Sequence, residues 1–150
     1  MAVTARSGNR SWFTIQDVSR RSGLSEPTLR YYEKIGLIGP VPRDPSSGHR
    51  RYDAGSLETI EALSCLRSTG VGVEDMRAYL AHLAREDEAA TEMRDLFLRH
   101  AERVADEIER MRVRLRYLRH KAELWDARSR GDAEAESRAI AEIVRAIGEF

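Results

Sequence analysis

The chain has 150 residues, with 25 Lys or Arg balanced by 25 Asp or Glu for a formal net charge of +0. Charged residues make up 33% and hydrophobic ones 41%, as in a folded domain; no run approaches the roughly 18–20 apolar residues that span a bilayer, and no secretory signal follows the opening MAVTARSGNR. One cysteine, Cys65, rules out an intrachain disulfide and a Cys-rich zinc site, and glycine loops of Walker or Rossmann type are missing, so the expectation is a cytoplasmic protein without cofactor, metal site or catalytic residues.

The charge is unevenly placed. Residues 1–52 hold nine basic and four acidic groups, and residues 53–150 hold sixteen and twenty-one. The first third can therefore face phosphates while the rest stays solvated. Residues 1–11 are polar and without period, and read as a flexible arm. Thr14 and Asp17 make a capping box that opens a short helix with Ile15 and Val18 on one face; Gly23 ends it. Ser25 caps a second helix, Glu26 to about Lys34, with Pro27 in its first turn and Gly36 as its stop. Two short helices around a tight glycine-containing turn are the helix-turn-helix pattern.

Residues 37–52, LIGPVPRDPSSGHRRY, carry three prolines and two glycines. They predict a small two-stranded hairpin, tipped near Asp44–Gly48, that forms a basic wing. Asp53 caps a third helix, about Ala54 to Ser68, whose apolar side is Leu57, Ile60, Ala62, Leu63 and Leu66. Gly70 breaks it, and a fourth helix, about Val73 to Leu83, presents Met76, Tyr79, Leu80 and Leu83. Residues 12–84 are thus expected to form one DNA-binding domain.

Residues 85–128 read as a linker and a long helix. From Phe97 the apolar positions are Ala101, Val104, Ile108, Met111, Leu115, Leu118, Ala122 and Trp125, alternately four and three apart. This is a heptad seam, with Arg and Glu crowding the remaining positions. A two-column stripe of roughly 42 Å cannot be buried by the small domain before it, whereas a second copy of the helix can cover it. A coiled-coil homodimer is expected, antiparallel or parallel, with the antiparallel form assigned to residues 85–128. Residues 129–150 read as a hinge and an amphipathic tail helix with the stripe Ile140, Ile143, Val144 and Ile147. The fold class is therefore all-α with a small β-hairpin wing: a winged helix-turn-helix domain followed by a long coiled-coil dimerisation helix.

The second helix offers Ser25, Thr28 and Arg30 near its N-terminus, the small polar groups and long donor that reach base edges. Tyr31 and Tyr32 suit phosphate oxygens, although neighbouring helical positions point about 100° apart and one of the two must lean inward. Arg43, His49, Arg50, Arg51 and Tyr52 flank the tip of the wing and are expected to clamp the DNA backbone, with Arg20 and Arg21 reaching flanking phosphates.

The stretch from Phe13 to Leu80 resembles the DNA-binding domain of the mercury-resistance regulator (MerR) family. The matching residues are Ile15 and Val18, then GLSEPTLRYYEKIGLIG, then Gly48, Arg50 and Tyr52 of the wing, then the turn from Leu66 to Gly70. His49 departs from the aromatic or branched residue usual in that wing. The resemblance implies a homodimeric transcription regulator of promoter DNA. It would bind a pseudo-palindromic element with a long spacer, change the distortion of the duplex, and act on RNA polymerase indirectly through the promoter.

Metal-sensing relatives carry cysteines after the dimer helix, and redox relatives a cysteine cluster; neither is present here. Cys65, set in C-L-R-S-T-G, resembles instead the lone cysteine of the aldehyde- and electrophile-responsive NmlR/AdhR-like branch. Its alternative is a small buried hydrophobe. Three readings remain open: a regulator sensing electrophiles through Cys65, a regulator of another small molecule in which Cys65 is structural, and a coiled-coil architectural or interaction protein.

Overall fold

The first three helices each start where a side chain accepts an otherwise unpaired end N–H. Thr14 and Asp17 cap each other reciprocally, the Ser25 hydroxyl accepts from Thr28 N, and Asp53 accepts from Ser56 N. The computed structural model describes residues 11–150, and in chain order they form α1 (Ile15–Ser22), α2 (Glu26–Lys34), α3 (Ala54–Ser68), α4 (Val73–Ala84), a 3-10 turn (Glu86–Ala89), α5 (Ala90–Arg130) and α6 (Ala133–Ile147). The expected arm, residues 1–11, lies outside the described residues except for Ser11. Contacts divide the chain into two units, one ending at Leu96 and one running from Phe97 to Phe150.

The first unit is built on α1, which packs on both α2 and α3. Val18, Leu29, Ile60 and Leu63 are sealed from solvent, and Leu24, Leu37 and Met76 join them in one cluster. Gly23, at φ +76°, makes the turn between α1 and α2, and the Ser19 hydroxyl fastens that turn by donating to Leu24 O at 2.6 Å. At the other end of α2, Gly36 at φ +72° reverses the chain so that Leu37 and Ile38 drop into the core. Two long-range bonds tie the helices: Ser64 Oγ donates to Ser22 O at 2.5 Å, and the Arg77 guanidinium donates to Ile35 O.

The β-hairpin wing expected over residues 37–52 does not form. Among the described residues there is no β-strand, and the segment is a loop pinned by two isolated antiparallel bridges, Arg43 with Arg50 and Phe13 with Tyr52. Pro40 and Pro42 have no N–H to give a ladder, and Pro45 sits in the tip. The tip is instead organised by Asp44, whose carboxylate accepts from Ser46 N at 2.8 Å and Ser47 N at 2.9 Å. These bonds hold the Asp44 carboxyl below its ordinary pKa. A second correction concerns Leu83, which is exposed at the end of α4 while Met76, Tyr79 and Leu80 face the core.

In the second unit, Gly131 at φ +65° turns the chain, Asp132 caps α6, and α6 runs back antiparallel along the C-terminal half of α5. Ala139 and Ile143 pack on Leu124 and Tyr117. Arg128 pairs with Glu136 at 2.7 Å, Arg116 pairs with Glu149, and the Phe150 ring meets Tyr117 edge-on at 5.7 Å. The expected tail stripe is split by this packing: Ile143 is buried, while Ile140, Val144 and Ile147 face solvent.

Leu63→Ala, which empties a fully buried site on α3, is expected to lower stability in urea unfolding by about 2–5 kcal/mol. Cys65→Ala on the exposed side of the same helix is expected to change it by less than about 0.5 kcal/mol.

Candidate nucleic-acid interface

The N-terminal turn of α2 presents Ser25, Thr28 and Arg30 close together. Ser25 Oγ and Thr28 Oγ1 are 2.8 Å apart, and Arg30 reaches back to Glu26 at 3.3 Å. Both Ser25 and Arg30 are exposed. A groove of about 340 Å³ runs beside them, and into it the fold brings Arg30 of α2, Arg43, His49 and Arg50 of the loop, and Thr14 and Gln16 of α1. Gln16 was not singled out in the sequence. Its place at the start of α1, next to the capping box, is a signal that was available.

The basic groups differ in how firmly they are held. Arg20 pairs with Asp17 at 3.4 Å, and Arg21 reaches Glu61 at 3.7 Å and lies over the Phe13 ring. These pairs are exposed, and such pairs contribute little, so both guanidinium groups remain available to a phosphate. Arg51 stacks 4.9 Å above the Trp12 ring and pairs with Asp44 at 3.4 Å. Arg43 donates to Gly48 O at 3.3 Å, which stiffens the loop from within. His49 is exposed at the loop's tip. Arg50 is the exception, because its Nε donates to Glu33 Oε2 at 3.0 Å with both side chains 19% exposed. It fastens the loop to α2.

The two adjacent tyrosines divide as helical geometry requires: Tyr31 is exposed and Tyr32 is 4% exposed in the core. Tyr52 is buried too, at 1%. Neither Tyr32 nor Tyr52 therefore stands on the surface where a phosphate contact was expected. The Phe13–Tyr52 bridge, with N–H···O distances of 2.8 and 2.9 Å, carries Tyr52 inward. Among the described residues its hydroxyl has no hydrogen-bond partner, and burial pushes its pKa up against the opposing pull of Arg50.

Cys65 is exposed on α3, with exposed Arg67 two residues on. All nine seam positions from Phe97 to Trp125 are exposed in the single chain, including Met111 and Leu118 at 61% and 62%. Among the described residues no group of three or more His, Cys, Asp or Glu could hold a metal ion, and no helix is long and apolar enough to cross a membrane.

An exposed polar turn on the second helix of a helix-turn-helix, ringed by arginines, defines a DNA-binding protein. The family model described as MerR family regulatory protein matches residues 14–52. The HTH-type transcriptional regulator HmrR of Rhizobium leguminosarum bv. viciae is 36% identical over 109 residues, covering 71% of this chain and 83% of HmrR. The HTH-type transcriptional regulator AdhR of Bacillus subtilis is 38% identical over 97 residues, 65% of this chain and 64% of AdhR, so the match spans less than two thirds of that relative. Among solved structures, HiNmlR, described as a MerR family regulator lacking the sensor domain and bound to promoter DNA, superposes with a TM-score of 0.67 at 28% identity, covering 84% of this chain and 96% of HiNmlR. The chain belongs to the MerR family. It is a DNA-binding transcriptional regulator and not an enzyme.

The Glu33–Arg50 pair and the Glu26–Arg30 pair make a contrast that can be measured. Glu33→Gln, which weakens a largely buried pair and its loop anchor, is expected to cost about 1–3 kcal/mol in denaturant unfolding. Glu26→Gln at the more exposed pair is expected to cost at most about 0.5 kcal/mol.

Proposed function

We propose that the protein acts as a homodimer on a pseudo-palindromic promoter, with α2 of each copy entering the major groove of one half-site and the protein altering the distortion of the duplex between them. The observation that carries this reading is the exposed nine-residue stripe of α5. A charged helix with an apolar seam of that length needs a partner, and a second copy supplies the matching heptads. The charges orient the pair. Residues 97–109 hold four acidic and two basic side chains, whereas residues 110–130 hold eight basic and two acidic. Antiparallel packing sets the acidic half of one helix on the basic half of the other, while parallel packing sets like on like. Ser25, Thr28 and Arg30 read bases in this scheme. Arg20, Arg21, Arg43 and Arg51 bind phosphates, and His49 lies beside them. RNA polymerase is affected through the promoter rather than by direct contact.

A purified protein of this kind loses DNA affinity steeply as salt rises, because each neutralised phosphate releases counterions. Arg30→Ala is expected to weaken binding to the promoter beside the gene by about tenfold or more in a gel-shift titration, the worth of one bidentate contact. Leu118→Glu is expected to give a monomer in sedimentation velocity and to remove tight binding to the two-half-site DNA. A wild-type chain that stays monomeric at micromolar concentration would overturn the paired-site reading.

For the inducer, we infer electrophile sensing at Cys65. Its exposure favours this over the core-filling role, since a dissolved aldehyde can reach the sulfur. The thiolate would add to the carbonyl carbon of formaldehyde or methylglyoxal, the oxygen taking a proton from water to leave a hemithioacetal. The adduct would shift which protein–DNA conformation dominates. Cys65→Ser is expected to keep DNA affinity and abolish aldehyde induction of a promoter reporter. Undiminished induction in that variant would return Cys65 to a passive role.

A further inference from the structure

The tail helix α6 has two apolar sides, and its own chain covers one. Ala139, Ile143 and Ala146 are buried, whereas Ile140, Val144 and Ile147 are 43%, 65% and 55% exposed. Each exposed residue follows a buried one by a single position, which rotates it by about 100° about the helix axis. The same offset holds on α5, where Leu118 and Trp125 are exposed and each follows the inward-facing Tyr117 or Leu124. Helices packed antiparallel carry an equal rotation of the same hand to the same side of the pair. The α6 stripe and the C-terminal half of the α5 seam therefore lie side by side on one face of the α5–α6 hairpin.

That side of α6 carries a single charged residue, Glu136, and Arg128 of α5 neutralises it at 2.7 Å while stacking on the Trp125 ring. Besides the three large residues it presents exposed Ala133, Ser137 and Ala141. The other charged residues of α6, Glu134, Arg138, Glu142 and Arg145, fall on the far side of the helix. A helix side turned to water ordinarily carries several charges, as the outer face of α5 does, so a branched-aliphatic side whose one charge is already paired within the chain is one built to be covered.

We propose that this side of α6 belongs to the homodimer interface, so that the two copies meet as helical hairpins rather than through α5 alone. The proposal rests on the homodimer reading above and adds a second pair of helices to it. A second copy is the occupant the charges select. Antiparallel pairing lays the acidic residues 97–109 of the partner over the basic residues 110–130, and that basic half is the one α6 flanks. A helix seated on the α5 seam there lies against Leu118 and Trp125 and also reaches Ile140 and Ile147 across the hairpin. The wider contact explains why a tail with a well-formed cap, turn and inner packing also keeps a second apolar side.

The test compares the full-length chain with the triple variant I140S/V144S/I147S and with L118E by sedimentation equilibrium, with far-ultraviolet circular dichroism to follow helix content. Expected results are a wild-type dimer, a monomeric L118E, and a triple variant of unchanged helicity whose dimer dissociation constant rises at least tenfold. Dimerisation of the triple variant at wild-type strength, with L118E monomeric, would overturn the α6 proposal and leave the α5 seam standing. A monomeric wild type would overturn both. Because serine substitutions can fray a helix, a second measurement uses the unaltered sequence: isotope-filtered NOEs in a dimer mixed from methyl-labelled and unlabelled copies. Intermolecular NOEs from the methyl groups of Ile140, Val144 and Ile147 are expected. Their absence, with seam NOEs present, would overturn the proposal.

Discussion

Apolar surface on α5 that its own chain does not cover is the constraint on which the rest depends. The helix from Ala90 to Arg130 keeps a regular stripe from Phe97 to Trp125 in contact with solvent, and its other positions are mostly Arg and Glu. Burying such a stripe is favourable by roughly 25 cal/mol for each Å² removed from water, while the charged flanks contribute mainly orientation. In the proposed dimer the hydrophobic term would drive association, and the separation of acidic from basic halves would favour the antiparallel form. The proposed paired-site binding rests on both.

The DNA-facing unit solves a different problem. It must hold a short α2 and an irregular loop steady with a small core. Leu29 and Tyr32 anchor α2 from beneath, and the Arg50–Glu33 pair binds the loop to the side of the same helix. Tyr52 adds the weight of a buried ring, at the cost of a hydroxyl that no described residue pairs. Tyr32, Tyr52 and Arg50, which look like DNA contacts in the sequence, thus serve the scaffold, while Ser25 and Arg30 stay exposed on α2. Asp44 gives the loop tip its shape through short backbone bonds rather than through strand pairing.

Local and long-range interactions left different marks in the sequence. Helix starts at Thr14, Ser25 and Asp53, and the glycine reversals at Gly23 and Gly36, were legible because each rests on bonds within three or four residues. The heptad stripe was legible because periodicity is a property of one helix. The loop departs from its pattern, since its basic residues and turn composition resemble a hairpin while Pro40 and Pro42 deny it the repeated N–H donors a ladder needs. The two tyrosines show the limit within one helix. Their adjacency required that one point inward, and only the packing of α2 on α1 decided that it was Tyr32.

By itself the sequence determined the helix-turn-helix, its caps, the exposed polar turn of α2 and the seam of α5, because local hydrogen bonding and a 3.6-residue repeat need no information from elsewhere in the chain. Tertiary structure alone decided that Arg50 is held by Glu33, that Tyr52 is core, that Cys65 faces water, and that α6 folds back with Ile143 inward and Ile140 outward. Those outcomes depend on which surfaces meet across many residues, and two side chains of the same type at neighbouring positions carry no mark of which one the fold will bury.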